Sequence, residues 1–269
     1  MTGKTLAVVY AVCSSTLPLA LCQEAQTLPL TEEQRTLLGK MSQYADRYME
    51  NLPNFICRQV TRQFEGGRKP DHWRKLDSLT SKLVYSQGRE QRTLELINDK
   101  QPKPSQVSRR PLSTEGEFGI LLHNVFADGT AAVFTWKGYE TIRGKRLAAF
   151  DYIVDKKHSR LSLGLVDLGS AIVPYNGSVY ADPASGEVWR ITDSAFDIPP
   201  EVRTKSVDRT VDYDSVTIGG KAYLLPVTAS ALLNTGSSTV LNQSEFRDYR
   251  KFDADSKIIF AASDPEPAN

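Results

Sequence analysis

Side chains that usually carry catalysis or metal binding are scattered in this sequence rather than grouped. His72, His123 and His158 have no carboxylate or cysteine at metal-ligand spacing, and the zinc patterns HExxH and CxxC are absent. The GxSxG elbow, the Walker-type phosphate loop and the GxGxxG turn are absent too. The sequence therefore predicts no metal site, no cofactor, no catalytic residue and no enzymatic activity.

One segment is similar to the active-site loop of aspartic proteases but lacks its carboxylate. Residues 231–238 read ALLNTGSS, and Asn234 stands where the protease loop has aspartate. That chemistry needs two carboxylates that share one proton, and an amide cannot take the proton. No second Asp-Thr-Gly or Asp-Ser-Gly triplet occurs in the chain. We interpret the segment as a Gly-Ser turn between two strands.

Three aspartates lie in alternating segments and allow more than one interpretation. Asp212 and Asp214 are two residues apart, which places both on the solvent face of a strand rather than in an acid–base pair. Asp151 lies between two aromatic residues. It is either a buried partner of an arginine, such as Arg146 or Arg190, or part of the wet face, and the sequence leaves both open.

The charge balance argues against nucleic-acid binding. The chain has 269 residues, with 33 lysines and arginines against 32 aspartates and glutamates. Affinity for nucleic acid comes mainly from neutralising phosphates, and a balanced chain offers no basic surplus for this. Hydrophobic residues make up 40% of the sequence, which is ample for one large buried core.

The N-terminus has the pattern of a secretory signal. Lys4 precedes an apolar run over 6–21, polar residues begin at position 23, and Ala20 and Cys22 supply small residues around a cleavage point. We expect residues 1–22 to be a signal peptide, so the chain is exported to the periplasm or secreted. The run is too short and broken for a membrane span, and the mature chain is expected to contain none.

The same stretch allows a second interpretation, as a lipoprotein signal. Residues 19–22 read LALC, which would make Cys22 a lipidated anchor at the outer membrane, although Leu21 is large for its position. We therefore favour cleavage over anchoring. Cys57 is then a lone thiol, expected to be a buried small hydrophobe. A disulfide between Cys22 and Cys57 is an option only if Cys22 persists unmodified.

Two amphipathic segments predict helices. A spacer (23–30) precedes Thr31, which with Gln34 makes a capping box for a helix over 31–51. A short second helix is expected from Thr114 to about position 128. Its apolar face would carry Phe118, Leu121, Leu122 and Val125.

Alternation with a period of two predicts strands over most of the remaining chain. A loop over 99–111 is the one serious break, and Gly219-Gly220 marks a tight hairpin. Residues 31–262 are expected to form a single domain and 263–269 a disordered tail. We predict a mainly β (α+β) fold: a large curved antiparallel sheet or unclosed β-barrel of about ten to eleven strands, with both helices in its concavity. The segments predicted as strands are 55–64, 78–85, 92–97, 130–141, 147–155, 172–181, 187–192, 207–218, 221–233, 240–252 and 258–262.

The order of these features resembles the LolA/LolB-like superfamily of periplasmic lipoprotein carriers, whose relatives include RseB-type envelope-stress regulators. A signal and a helix lead into NFICRQV at 54–60, which opens a long antiparallel meander. Strands at 175–182, 186–191 and 249–252 are similar to those of exported bacterial proteins of this group. The chain is longer than a typical carrier, and its 99–111 loop has no counterpart that we can place.

The resemblance implies an unclosed barrel covered by helices, with an apolar cavity for the acyl chains of lipids or lipoproteins. Burying apolar surface stabilises by about 25 cal/mol per Å², so a hollow sheet can shield an acyl chain from water. The alternative is a solid envelope module that binds a protein partner or senses stress and has no small ligand. The candidates for cavity wall and lid are Phe118, Leu121, Leu122, Val125, Phe150, Tyr152 and Val154.

Overall fold

The structure, a computed structural model, describes residues 29–66, 73–103, 117–165, 169–202 and 204–252. Its helices are α1 (Glu32–Asn51) and α2 (Ile120–Phe126), with short 3-10 turns at Asp128–Thr130 and Pro200–Val202. The strands are β1 (Phe55–Gly66), β2 (Trp73–Ser86), β3 (Arg89–Ile97), β4 (Val133–Ile142), β5 (Lys145–Val154), β6 (Ser162–Leu165), β7 (Gly169–Ile172), β8 (Tyr175–Ala181), β9 (Val188–Ala195), β10 (Ser206–Ile218), β11 (Lys221–Asn234) and β12 (Thr239–Lys251).

Ten of these strands form one antiparallel sheet in the order β3-β2-β1-β12-β11-β10-β9-β8-β5-β4. The sheet does not close, because β3 and β4 end it and do not pair with each other. Strands β6 and β7 form a separate two-stranded hairpin. The predicted fold, an unclosed antiparallel sheet with an N-terminal helix and a short helix, is confirmed.

Tight turns set the register of three hairpins. The turn residues Gln87-Gly88, Arg143-Gly144 and Gly219-Gly220 all have positive φ, between 50° and 82°. Two residues with positive φ form the turn whose twist matches that of the flanking strands. The turn predicted at Gly219-Gly220 is therefore confirmed and closes the β10–β11 hairpin, and Gln87-Gly88 closes β2–β3 in the same way.

Helix α1 begins where its capping box predicts. The Thr31 side chain accepts a hydrogen bond from the Gln34 backbone N–H at 3.3 Å, and the Gln34 side chain accepts one from the Thr31 N–H at 2.9 Å. Glu32 and Glu33 add negative charge to the first turn, where the helix dipole favours it. The helix ends at Asn51, ahead of Pro53, as predicted.

Helix α2 is shorter than predicted, and Phe118 is not part of it. The helix begins at Ile120, after Gly119 with a φ of 118°, so Phe118 does not share a helical face with Leu121 and Leu122. A Cβ atom at Gly119 would lie 2.5 Å from Met49 Cγ. The chain passes so close to α1 here that an ordinary helical turn does not fit. The predicted cap at Thr114 lies outside the described residues.

The predicted strand over 172–181 is interrupted. Strand β7 ends at Ile172 and β8 begins at Tyr175, because Pro174 has no N–H to continue a ladder. The Pro174 carbonyl instead accepts a hydrogen bond from the Phe196 N–H at 3.2 Å. Several predictions fall outside the described residues: the signal peptide with Ala20 and Cys22, the strand over 258–262, the tail, and most of the 99–111 loop.

The core lies between the two helices and one face of the sheet, which we call the inner face. The largest buried cluster joins α1, α2, β5, β8, β9 and β10. Its helical members are Leu37, Met41, Ala45, Tyr48, Leu121, Leu122, Val125 and Phe126. Helix α1 is also held from the side, since the turn between β8 and β9 carries Gly186, whose missing side chain leaves room for Lys40.

Two glycines with the same backbone angle test this contact. Gly186 and Gly144 both have a φ of +79°, but a Cβ atom would meet Lys40 Cβ at 2.7 Å only at Gly186, and nothing within 4 Å at Gly144. We expect Gly144→Ala to lower the free energy of unfolding by about 1 kcal/mol through backbone strain. Gly186→Ala should cost about 1–3 kcal/mol more through overpacking. Urea denaturation measures both, and equal losses would contradict the packing of this turn on α1.

Candidate functional site

The residues chosen from the sequence are parts of the core. Leu121, Leu122 and Val125 are buried on α2. Phe150, Tyr152 and Val154 are buried on β5, in the same cluster. Leu121 borders an internal pocket of about 10 Å³, room for roughly one water molecule. In the described structure these six residues therefore pack against one another and against α1.

Phe118 belongs to a neighbouring aromatic cluster. Its ring centroid lies 5.3 Å from that of Phe55 and 5.3 Å from that of Phe246. Cys57 lies in the same cluster as a free, buried thiol, as predicted. Burial raises the pKa of the Cys57 thiol to about 12, so the thiol is protonated at neutral pH.

The inner face also holds a charged pair. Asp193 on β9 and Arg209 on β10 lie side by side, with Arg209 Nε at 2.8 Å from Asp193 Oδ1. The Asp193 side chain is only 2% exposed. A buried carboxylate needs such a partner, because desolvating an isolated charge is costly. The pair therefore belongs to the packing of the sheet.

The three aspartates singled out in the sequence, Asp151, Asp212 and Asp214, each have a cationic partner in the structure. Asp151 is on the wet side, 51% exposed, and pairs with Lys137 at 3.4 Å rather than with Arg146 or Arg190. Asp212 accepts from Arg190 at 2.6 Å and 3.0 Å. Asp214 lies 3.4 Å from Arg143, which belongs to the β4–β5 turn. These are ion pairs of the outer face and not an acid–base pair.

The described residues contain no cluster suited to a metal ion. No group of three histidine, cysteine, aspartate or glutamate side chains comes together within the described ranges. His123 is exposed on α2, and His158 Nδ1 lies 2.9 Å from Asp155 Oδ1 in a turn. None of the described helices has the length and apolarity needed to cross a membrane.

A groove of about 530 Å³ lies along the other side of α1, and we refer to it as the α1 groove. Its walls are one face of α1, the turn between β8 and β9, and the start of β11. Pockets of roughly 300–1,000 Å³ are typical of small-molecule sites. The lining residues are Lys40, Gln43, Tyr44, Arg47, Tyr48, Asn51, Leu52, Ser185, Glu187, Lys221, Ala222, Tyr223 and Leu224.

Two tyrosines form the inner wall of the α1 groove. The Tyr48 hydroxyl donates to the Leu224 carbonyl at 2.9 Å, which ties α1 to β11. The Tyr44 ring lies 5.6 Å from that of Tyr48. Its hydroxyl is buried and has no hydrogen-bond partner within the described part of the chain. Burial raises the pKa of Tyr44 well above its usual value, so this hydroxyl stays neutral and remains able to donate a hydrogen bond.

Cations border the same groove. Lys40 donates to the Ala184 carbonyl at 2.9 Å, and Arg47 donates to the Gln43 carbonyl at 3.2 Å. Lys221 lies 5.2 Å from the centre of the Tyr223 ring. With Glu187 as the one carboxylate in the lining, the three cations leave a positive surplus. The α1 groove thus has a mostly polar lining with a basic border, and its apolar surface is a patch formed by the tyrosine rings, Leu52 and Leu224.

Sequence reasoning missed this groove because it is assembled from distant segments. Lys40, Tyr44 and Arg47 share a face of α1 by their spacing of three and four residues, and that signal was available. The opposing wall at Tyr223 and Leu224 is more than 170 residues away in the chain. Only the folded sheet places it beside α1.

Comparison with known proteins gives structural likenesses only. No protein-family model matches the chain, and no curated protein matches it. A DUF1329 family protein from Desulfovibrio piger is 8% identical, with a TM-score of 0.41, over 84% of this chain and 96% of that one. A LolA superfamily protein from Nitrosomonas europaea is 13% identical, with a TM-score of 0.33, over 84% and 97%.

A third structure is described as an outer membrane lipoprotein-sorting protein domain from Vibrio parahaemolyticus. It is 11% identical, with a TM-score of 0.39, over 79% of this chain and 91% of that one. The second and third of these structures carry names of the superfamily that the sequence pattern resembles, and all three likenesses concern the fold alone. At such identities and TM-scores they define neither a ligand nor a partner for this chain.

The burial of the Asp193–Arg209 pair predicts that removing one of its two charges strongly destabilises the protein. Asp193→Asn leaves the Arg209 guanidinium without its carboxylate, and we expect the free energy of unfolding to fall by roughly 3–5 kcal/mol. Asp151→Asn is the matched control on the exposed side, where an ion pair contributes about 1 kcal/mol or less. Chemical denaturation of both variants is the measurement. Similar losses would show that Asp193 is not buried as described.

Cys57 is expected to be unreactive in the folded protein. With Cys13 and Cys22 replaced by serine, Cys57 should react slowly with a thiol reagent at pH 8 and quickly after unfolding in urea. The raised pKa of Cys57 also makes the stability of the folded protein depend on pH. Below pH 9.0, the ordinary pKa of the thiol, its contribution to stability is fully present. It is lost as the pH rises toward about 12, because the thiol of the unfolded chain ionises first. Equally fast labelling in the absence of urea would contradict the burial of Cys57.

Proposed function

We propose that this chain is an exported envelope protein that binds the acyl chain of a lipid or lipoprotein and catalyses no reaction. The observation that carries the proposal is the α1 groove, with its patch of tyrosine rings and leucines, its basic border and the buried Tyr44 hydroxyl, which has no hydrogen-bond partner among the described residues. The signal-like N-terminus supports export. The lack of a grouped catalytic or metal-binding constellation in the described residues is compatible with a binding role.

Each part of the groove has a role in such binding. Leu52, Tyr223 and Leu224 supply apolar surface, and each methylene buried there contributes about 0.8 kcal/mol. The Tyr44 hydroxyl donates to a carbonyl oxygen of the ligand. Lys40 and Arg47 face an anionic headgroup, for which a basic border is complementary.

The residues first chosen as cavity wall and lid keep a place in this proposal. To reach deeper than the α1 groove, an acyl chain has to push apart the packed side chains of α1, α2 and β5. Helix α2 is the part suited to moving, because it has only seven residues and no side-chain cap at its N-terminus. In that case Leu121, Leu122 and Val125 act as a lid, with Phe118, Phe150, Tyr152 and Val154 lining the space it uncovers.

A second candidate function is an envelope interaction module without a small ligand. The packed inner face around Phe150 favours it, since a carrier needs space that side chains leave empty. Strand β4 ends the sheet and carries Val133 at 64% and Tyr139 at 49% exposure. A partner strand would add to this edge, where Lys137 and the Gly138 bulge limit indiscriminate pairing.

Palmitate binding to the chain from Gln23 onward tests the acyl-chain proposal. We expect calorimetry and native mass spectrometry to detect one bound palmitate. Tyr44→Phe should weaken binding about fivefold, because it removes one hydrogen-bond donor. Tyr223→Ala should weaken it about tenfold, because it removes apolar contact area.

Tyr139→Ala is the control for this experiment. Tyr139 is an exposed tyrosine on β4, away from the α1 groove, and its loss should leave palmitate binding unchanged. If palmitate does not bind, or if Tyr139→Ala and Tyr223→Ala weaken it equally, the acyl-chain proposal fails. Capture of an envelope protein that Tyr139→Ala abolishes would then favour the interaction module.

A further inference from the structure

A row of like charges crosses three neighbouring strands on the outer face of the sheet. Arg58 on β1 lies directly opposite Arg247 on β12 and directly opposite Lys82 on β2. Directly opposite residues in an antiparallel pair have Cβ atoms about 4.5–5.5 Å apart, and like charges at that position destabilise a sheet. All three side chains belong to exposed residues. Such a row lowers the stability of the protein unless an anion occupies it.

A groove of about 360 Å³ lies beside this row, and we refer to it as the β1 groove. It is lined by Ile56, Cys57, Arg58, Lys82, Glu95, Asp248, Arg250 and Lys251. Even with Lys251 left aside, the row and the groove together hold four cations, namely Arg58, Lys82, Arg247 and Arg250. They face two carboxylates, so the surplus is two positive charges.

The backbone at this groove is irregular in a way that places the ion pair between Arg58 and Asp248. Strand β12 has a bulge opposite Cys57, where the register shifts between Ile56 and Arg58. Within it, Asp248 has a φ of +59°, an unfavourable conformation for a residue other than glycine. Asp248 Oδ2 lies 3.2 Å from Arg58 Nη1. This contact compensates one cation of the row and leaves Lys82 and Arg247 uncompensated by any ion pair of the described residues.

We propose that the β1 groove binds a phosphate group. The surplus of two charges matches the charge of about −1.5 to −2 on a phosphate monoester at neutral pH. Arginine presents a planar fork of donors that fits phosphate oxygens, and Arg58 and Arg250 both border the groove. The phosphate comes from a lipid headgroup or from a soluble phosphate ester. This site lies apart from the α1 groove, shares none of its lining residues and does not depend on acyl-chain binding.

Lysine substitutions on one strand test the proposal. Lys82→Gln removes a cation from the row, whereas Lys75→Gln removes an exposed lysine from the same strand outside the groove. Binding of glycerol phosphate is measured by calorimetry, and binding to vesicles that contain phosphatidic acid, whose headgroup is a phosphate monoester, is compared with vesicles of phosphatidylcholine alone. We expect Lys82→Gln to weaken binding about tenfold, the effect of one charge-assisted hydrogen bond. Lys75→Gln should leave the affinity unchanged.

The same variants have opposite expected effects on stability. Without ligand and at low salt, Lys82→Gln should raise Tm by about 1–3 °C, because it relieves a like-charge contact. Lys75→Gln should not raise Tm. A more stable variant with weaker phosphate binding distinguishes a binding site from a merely structural feature, and it shows that the loss of binding is not misfolding.

The outcomes separate the two sources of phosphate. Binding of glycerol phosphate that Lys82→Gln weakens supports a soluble ester as the source. Binding only to the vesicles with phosphatidic acid, weakened by the same variant, supports a lipid headgroup. The proposal is overturned if neither probe binds, if Lys75→Gln weakens binding as much as Lys82→Gln, or if the groove takes a glutamate-rich peptide and no phosphate. Palmitate binding in the Lys82→Gln variant should remain intact, so the two proposals fail or stand separately.

Discussion

The pairing of β1 with β12 holds the whole sheet together. Eleven residue pairs join the two strands, from Phe55 opposite Lys251 to Gly66 opposite Thr239. Every other ladder of the large sheet joins strands that are close neighbours in the chain. Without this ladder, β1–β3 and β4–β12 would be two separate sheets. Closing it brings together residues about 170–200 positions apart, so it carries the largest loop-closure cost of any ladder and should form late in folding.

The two faces of the sheet solve different physical problems. The inner face buries apolar side chains under α1 and α2, and it accepts Asp193 there only with Arg209 beside it. The outer face carries ion pairs: Asp151 with Lys137 and Asp214 with Arg143 are well exposed, whereas the Asp212 carboxylate beside Arg190 is only 13% exposed. The two grooves lie where this pairing of polar and charged side chains is incomplete among the described residues. One contains the Tyr44 hydroxyl, which has no hydrogen-bond partner in the described part of the chain, and the other lies beside cations that face each other across strands.

Fold class was predictable because its signals are local. The capping box that starts α1 involves Thr31 and Gln34, only three residues apart. The β10–β11 turn is made by two adjacent glycines, Gly219 and Gly220, and the alternation that predicts β10 lies within 207–218. Each signal acts within a few residues, so neighbouring sequence decides it. The two errors have different causes, the first tertiary and the second local. Phe118 left the predicted helix because the chain at Gly119 presses against α1. The strand over 172–181 broke at Pro174, whose missing donor a period-two reading does not weigh.

The candidate sites were hidden from the sequence for a similar reason. The residues picked as cavity wall, such as Phe150 and Leu122, were apolar, and apolarity alone does not separate a filled core from a ligand wall. Local sequence decides which segments become helices, strands and turns, because capping, turn angles and alternation act over a few residues. Which side chains share a groove is decided by tertiary structure. Strand register places Arg58 opposite Lys82 and Arg247, and the packing of α1 on the sheet places Tyr48 against Leu224.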